Sequence, residues 1–212
     1  VLGVAVEGFA NQYAYDRIAQ LGAHWVRRYR ELSWLAVEPV EGQLRWEALA
    51  ELEGELLRAR ADGFEPIINI QMTPEWAQGV ASYPCGPVRR DKFEAFARFM
   101  EQVVARYGSQ TRYGVHYWQI GNEPDVAPVE EWPDSPFGCW GDPKDLYYGG
   151  PYYADMLKVV YPRIKAADPG AQVMMAGLLL ECDPEITSPG NGCENERRWA
   201  SGRFLEGVLI NG

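Results

Sequence analysis

Residues 2–8 form a short apolar run, and from residue 12 to 21 the apolar positions Ala14, Ile18 and Leu21 instead recur every three or four residues. The first pattern predicts a strand and the second an amphipathic helix. The same exchange of periods recurs along the chain. Strands are expected over 24–29, 66–71, 115–122 and 171–180. Helices are expected over 46–61, with Leu49, Leu52, Leu56 and Ala59 on one face, and after an N-cap at Asp91, where Phe93, Phe96, Met100, Val103 and Tyr107 form a stripe. A further helix opens at Pro151, carries Met156, Val159 and Val160, kinks at Pro162 and closes at Asp168-Pro169-Gly170, and a last one spans 198–210. Gly22, Gly63, Gly108 and Gly170 stand where helices stop.

Strands joined by helices imply parallel pairing, because a parallel crossover needs a dozen or more residues. The connections are unequal. Helix-to-strand turns are short, whereas the strand-to-helix segments at 30–45, 72–90 and 123–150 are long. Long loops of this kind are usually functional, so the elaboration lies on the C-terminal face of the strands. Trp34, Trp76, Trp132 and Trp140 fall in these loops, where indole rings can stack on the apolar faces of sugars. The expected class is α/β, a (β/α)8 TIM-barrel type with this chain covering about strands 1–5 and helices 1–5. A doubly wound open sheet is the alternative, but the first turn, Gly8-Phe9-Ala10-Asn11, lacks a Gly-rich fingerprint.

A hydrophobic share of 47% over 212 residues is enough for a sizeable core. The net charge of -10, from 30 acidic and 20 basic residues, argues against a nucleic-acid partner. No apolar run approaches the roughly 20 residues of a membrane helix. The two histidines, His24 and His116, lack metal-ligand spacing and are expected to pack at strand starts, so no metal or cofactor is called for. Within Arg27-Arg28-Tyr29-Arg30, strand alternation places Trp25, Arg27 and Tyr29 on one side, taken here as the inward one.

The chemistry gathers at Tyr117-Trp118-Gln119-Ile120-Gly121-Asn122-Glu123-Pro124-Asp125. Pro124 has no N–H for a ladder, so the strand ends there and Glu123 is presented at a rim. A carboxyl beside an amide suits glycosidic chemistry: the acid protonates the bridging oxygen while the amide holds a neighbouring hydroxyl. A serine hydrolase is disfavoured by the lack of a Gly-x-Ser-x-Gly elbow. The four cysteines, Cys85, Cys139, Cys182 and Cys193, all fall in loops of the same face. Cys182 and Cys193 share one loop and are expected to pair, leaving Cys85 with Cys139, which implies an oxidising, extracellular or periplasmic compartment.

Five segments resemble the retaining glycoside hydrolases with a (β/α)8 barrel, clan A, in the β-xylosidase and α-L-iduronidase-like branch. They are Trp25-Val26-Arg27; Trp34-Leu35-Ala36-Val37-Glu38-Pro39 with Gly42 and Trp46; Thr73-Pro74-Glu75-Trp76-Ala77; Gly121-Asn122-Glu123-Pro124; and Ile164-Lys165-Ala166-Ala167-Asp168-Pro169. The resemblance implies that Glu123 is the general acid/base, Asn122 binds the sugar 2-hydroxyl, Arg27 supports the catalytic carboxylates and Trp76 lines the pocket. Gln71, at the end of the third strand, and Trp140 complete the expected substrate contacts. The sequence departs at Gly121, where members often carry Trp, which implies a more open floor beside Glu123. The family's nucleophile is a Glu at the end of a seventh strand, and no residue here takes that place; Asp125 and Glu75 are read as rim acids. The chain is therefore expected to be the N-terminal part of one barrel, completed by further polypeptide of the same gene, a second chain or a symmetry mate. A non-catalytic carbohydrate-binding or assembly protein on the same partial barrel is the competing expectation.

Overall fold

The computed structural model describes residues 2–7, 12–29, 31–127, 138–179 and 200–212. Its strands are β1 (Leu2–Val6), β2 (Ala23–Arg28), β3 (Leu32–Ser33), β4 (Glu65–Gln71), β5 (Tyr117–Ile120) and β6 (Gln172–Met175). Its helices are α1 (Gln12–Gln20), α2 (Trp34–Val37), α3 (Ala50–Ala61), α4 (Phe93–Tyr107), α5 (Gly150–Ala167) and α6 (Ala200–Asn211). Every strand pair is parallel, in the order β1-β2-β4-β5-β6, with the two-residue β3 pairing beside β4 near its C-terminal end. This is part of a (β/α) barrel, as expected, with β1 and β6 at the two ends of the order.

Alternation along the strands separates two faces. Val26, Ile68, Ile70, Trp118 and Ile120 face the helical layer and are at most 2% exposed. Burying each such side chain contributes about 1.5–3 kcal/mol. On α4, Phe93, Phe96, Met100, Val103 and Tyr107 form the buried stripe that the spacing predicts. The opposite sheet face carries Arg27, Asn69, Gln71 and Gln119, an unusually polar set for parallel strands and one that needs internal partners. Arg28, one residue out of phase with Arg27, points the other way and meets Glu55 of α3 at 2.6 Å with both side chains buried.

Several local expectations change. The helix expected from Trp46 opens as a 3-10 turn, Trp46–Leu49, before α3 begins. Asp91 is not an N-cap: it lies inside a 3-10 turn, Arg90–Lys92, and its carboxylate turns back to Arg89, so α4 starts at Phe93 without a side-chain cap. Helix α5 spans Gly150–Ala167 with Pro162 inside it, and closes before Asp168 as the spacing predicts. The loop after β2 holds β3 and α2, which the apolar spacing did not announce; Ser33 caps α2 by accepting from the Ala36 N–H. His116 sits just before β5 and meets Glu65 at 2.9 Å, in line with the expected packing at a strand start. Among the described residues, no helix is long and apolar enough to cross a membrane.

Candidate active site

Strand β5 stops at Ile120 because the backbone turns left-handed. Gly121 has φ +79°, and Glu123 has φ +46°, a value that costs an L-residue about 1–2 kcal/mol. Strain of this kind persists only where the surroundings hold it, and it concentrates at functional sites. The surroundings here are specific. The Glu123 N–H donates to the Gly177 carbonyl beyond β6 (2.9 Å), and the Gly121 N–H donates to Ile70 of β4 (2.8 Å). The buried Tyr153 hydroxyl of α5 donates to the Ile120 carbonyl (2.6 Å) and accepts from the Ala176 N–H (3.2 Å), bridging β5 to β6 below the turn. Gly121 is thus a backbone requirement as well as an open floor: a Cβ there would meet only the Ala176 Cβ at 3.8 Å, so conformation and not space resists a side chain.

A second strip of chain braces the turn from outside. Gly138 donates to the Asn122 carbonyl, Trp140 to Pro124 (3.1 Å) and Gly141 to Val126 (3.0 Å). Any side chain at 138 would press on the Asn122 carbonyl and the Pro124 Cα at 2.7 Å, which explains a glycine there. Between them, Cys139 donates to the Cys85 carbonyl (3.0 Å) and forms a disulfide with Cys85, as expected from the loop positions. Cys182 and Cys193 lie outside the described residues, as does Trp132.

Arg27 faces the polar side of the sheet, the side taken as inward. Its Nε donates to Gln119 Oε1 (2.9 Å) and its Nη2 to Asn122 Oδ1 (2.8 Å). Burial pulls the Arg27 pKa below its ordinary value, while the charges of Glu123 and Tyr29 act the other way. Burial pushes the Glu123 carboxyl above the usual range; the charge of Asp125 adds to this and Arg27 partly offsets it. One carboxyl oxygen of Glu123 is buried without a hydrogen-bond partner. Asp125 is only 2% exposed, and its pKa is raised by burial even though it accepts from the Leu179 N–H (3.0 Å); the nearby Ser201 hydroxyl donates to the Leu179 carbonyl. A rim carboxyl whose pKa is raised, a cation beside it and an amide next in sequence are the groups needed to deliver a proton to an oxygen leaving group and hold a neighbouring hydroxyl.

The structure brings Glu123, Asn122 and Arg27 together. Gln71 lies nearby on β4, where it accepts from Asn69 (3.2 Å), and with Trp140 it lines a cavity of ≈ 30 Å³ that reaches in to Ile70, Phe96 and Met156. That space suits a water or two, not a sugar ring. Trp76 lies in the loop after β4, where its indole N–H donates to the Glu38 carbonyl (3.0 Å), its ring meets Trp34 edge-on, and Lys92 lies over it at 5.3 Å. Gln119, Tyr153 and the buried role of Asp125 were not singled out in the sequence. Gln119 left one trace there, a polar residue in phase with Tyr117 inside an otherwise apolar strand.

No protein-family model matches the sequence, and no curated protein matches it. Solved structures do share the fold. Fpglu1 from Fervidobacterium pennivoraus aligns over 93% of this chain and 48% of its own, with TM-score 0.60 and 16% identity. A glucosidase from Croceicoccus marinus aligns over 85% of this chain and 37% of its own, with TM-score 0.54 and 15% identity. The β-glycosidase BGL167 aligns over 76% of this chain and 43% of its own, with TM-score 0.54 and 21% identity. The chain spans less than half the length of each, and at these identities the likeness is one of fold.

Proposed function

We propose that this chain is the N-terminal part of a retaining glycoside hydrolase barrel in which Glu123 is the general acid/base. The observation that carries the reading is the Glu123 carboxyl itself: it stands at the C-terminal end of β5 in a left-handed conformation, with one oxygen unpartnered and its pKa raised, beside Arg27 and Asn122. The C-terminal face is where barrel enzymes carry their chemistry. The glucosidase and β-glycosidase that share the fold support the same class.

In this mechanism Glu123 gives its proton to the glycosidic oxygen as the bond to the anomeric carbon breaks. A second carboxylate, about 5 Å away, attacks that carbon from the opposite face to form a glycosyl-enzyme. Glu123, now ionised, then takes a proton from the water that releases the sugar. The second carboxylate is assigned to polypeptide beyond these residues that completes the barrel and covers β6. Asn122 is placed against the 2-hydroxyl, and Arg27 orients Asn122 and faces the charge of Glu123. The Cys85–Cys139 disulfide favours an extracellular or periplasmic setting.

The test is Glu123→Ala in the full-length protein, assayed on nitrophenyl glycosides and on glycosides with poor leaving groups. Cleavage of the poor leaving groups should fall by about 10²–10⁴-fold, activated ones should be spared, and azide should rescue turnover. Unchanged turnover on natural glycosides would overturn the assignment.

A further inference from the structure

Gln119 is 5% exposed, and both ends of its amide are committed. Its oxygen accepts from Arg27 Nε at 2.9 Å, and its nitrogen donates to the Gly121 carbonyl at 2.8 Å. Arg27 Nη2 in turn donates to Asn122 Oδ1 at 2.8 Å, and Asn122 follows Gly121 in the chain. The contacts close a ring: Gln119, Arg27, the Asn122 side chain, and back through the Gly121–Asn122 backbone to Gln119. Chemistry dictates the orientation of the amide, since a guanidinium only donates and a carbonyl only accepts. One donor and one acceptor are needed at a single side-chain tip. Glu would set a carboxylate oxygen against the Gly121 carbonyl, and Met or Leu would leave both partners unmet in a buried place.

We infer that Gln119 is a positioning residue: it aims the Arg27 guanidinium at Asn122 and holds the left-handed Gly121 carbonyl, and so sets the attitude of the edge that presents Glu123. It touches neither the Glu123 carboxyl nor, in the reaction proposed above, the sugar. The inference rests on that reading for its catalytic consequence, and on the ring alone for its effect on Glu123. The charged groups acting on Glu123 are Asp125 from its own turn and Arg27 from β2, and Arg27 is the one that the ring holds.

The experiment is a double-mutant cycle of Gln119→Met and Arg27→Met in the full-length enzyme. Gln119→Met should lower kcat/KM roughly 10- to 100-fold, mostly in kcat, as expected for loss of a hydrogen bond to a charged group. In the Arg27→Met background the same change should cost clearly less than in the wild type, because the Gln119–Arg27 contact is already gone and only the contact to the Gly121 carbonyl is left to lose. Losses that multiply would overturn the inference. Because Arg27 holds the Glu123 pKa down, Gln119→Met should also move the alkaline limb of the pH–rate profile to higher pH; a packing defect alone would leave that limb in place. If the protein shows no glycosidase activity, the reading above fails separately, and carboxyl NMR titration of Glu123 still decides this one: an unshifted Glu123 titration in Gln119→Met refutes it. Should Gln119→Met not fold, Gln119→Glu keeps the acceptor for Arg27 but sets an oxygen against the Gly121 carbonyl, so kcat should still fall; a Gln119→Glu protein with wild-type kcat and an unshifted Glu123 titration overturns the ring.

Discussion

Opening the Cys85–Cys139 bridge should destabilise the protein and slow its chemistry together. The two cysteines are 54 positions apart and enclose all of α4 and β5. In the chain-entropy description, cross-linking a loop of that length removes roughly 14 cal/mol/K from the unfolded chain, or about 4 kcal/mol at 25 °C. Measured bridges usually deliver about 2–4 kcal/mol, so the Cys85→Ala/Cys139→Ala protein should lose stability in that range. For a domain of this size the midpoint of thermal unfolding should fall by about 4–16 °C. The functional loss has a separate origin. Cys139 sits in the strip 138–141 that donates three backbone hydrogen bonds to the turn carrying Glu123, so freeing it loosens that turn. Differential scanning calorimetry of the oxidised, reduced and double-Ala proteins, together with kcat on a nitrophenyl glycoside, reads both effects. A midpoint unchanged within a degree, or Cys85 and Cys139 both labelled by a thiol reagent in denatured, non-reduced protein, would refute the reasoning.

Two further outcomes follow from the same turn. Because the folded state holds the Glu123 proton more tightly than the unfolded chain, its favourable contribution is full below the unfolded pKa of about 4.3 and is lost as pH rises through the folded value. Glu123→Gln, which mimics the protonated acid, should therefore melt higher than the wild type at pH 7–8 and equally below pH 4; a variant less stable at pH 8 contradicts the assignment of a raised pKa. Tyr153→Phe removes the hydroxyl that joins Ile120 to Ala176 and leaves two buried backbone groups unmet, so urea unfolding should show a loss of about 1–3 kcal/mol, and an unaltered midpoint would mean that the bridge contributes nothing.

The alternation of strand and helix, the parallel pairing and the placement of the long loops on one face were all present in the sequence, because each rests on local spacing. Gly22 and Gly63 mark helix ends in the sequence and have positive φ in the structure for the same local reason. Glu123 at a strand end and the inward side of Arg27 could also be read, since Pro124 stops a ladder and alternation along a strand is strict. Where neighbours in space compete with local preference, the sequence reading failed. Asp91 had the chemistry of a cap but spends its carboxylate on Arg89.

What only the tertiary structure decided is how the site is held. Arg27 meets Gln119 and Asn122 across 92 and 95 positions of sequence, and Asp125 reaches Leu179 across 54. No periodicity spans such distances. The sequence by itself determined which elements form and which face each presents, because backbone geometry imposes periods of 2 and 3.6 on any segment. The partners that Arg27 and Gln119 meet on the inward face were settled by packing β2, β4 and β5 side by side, since a buried donor or acceptor is costly unless the neighbouring strands bring its complement.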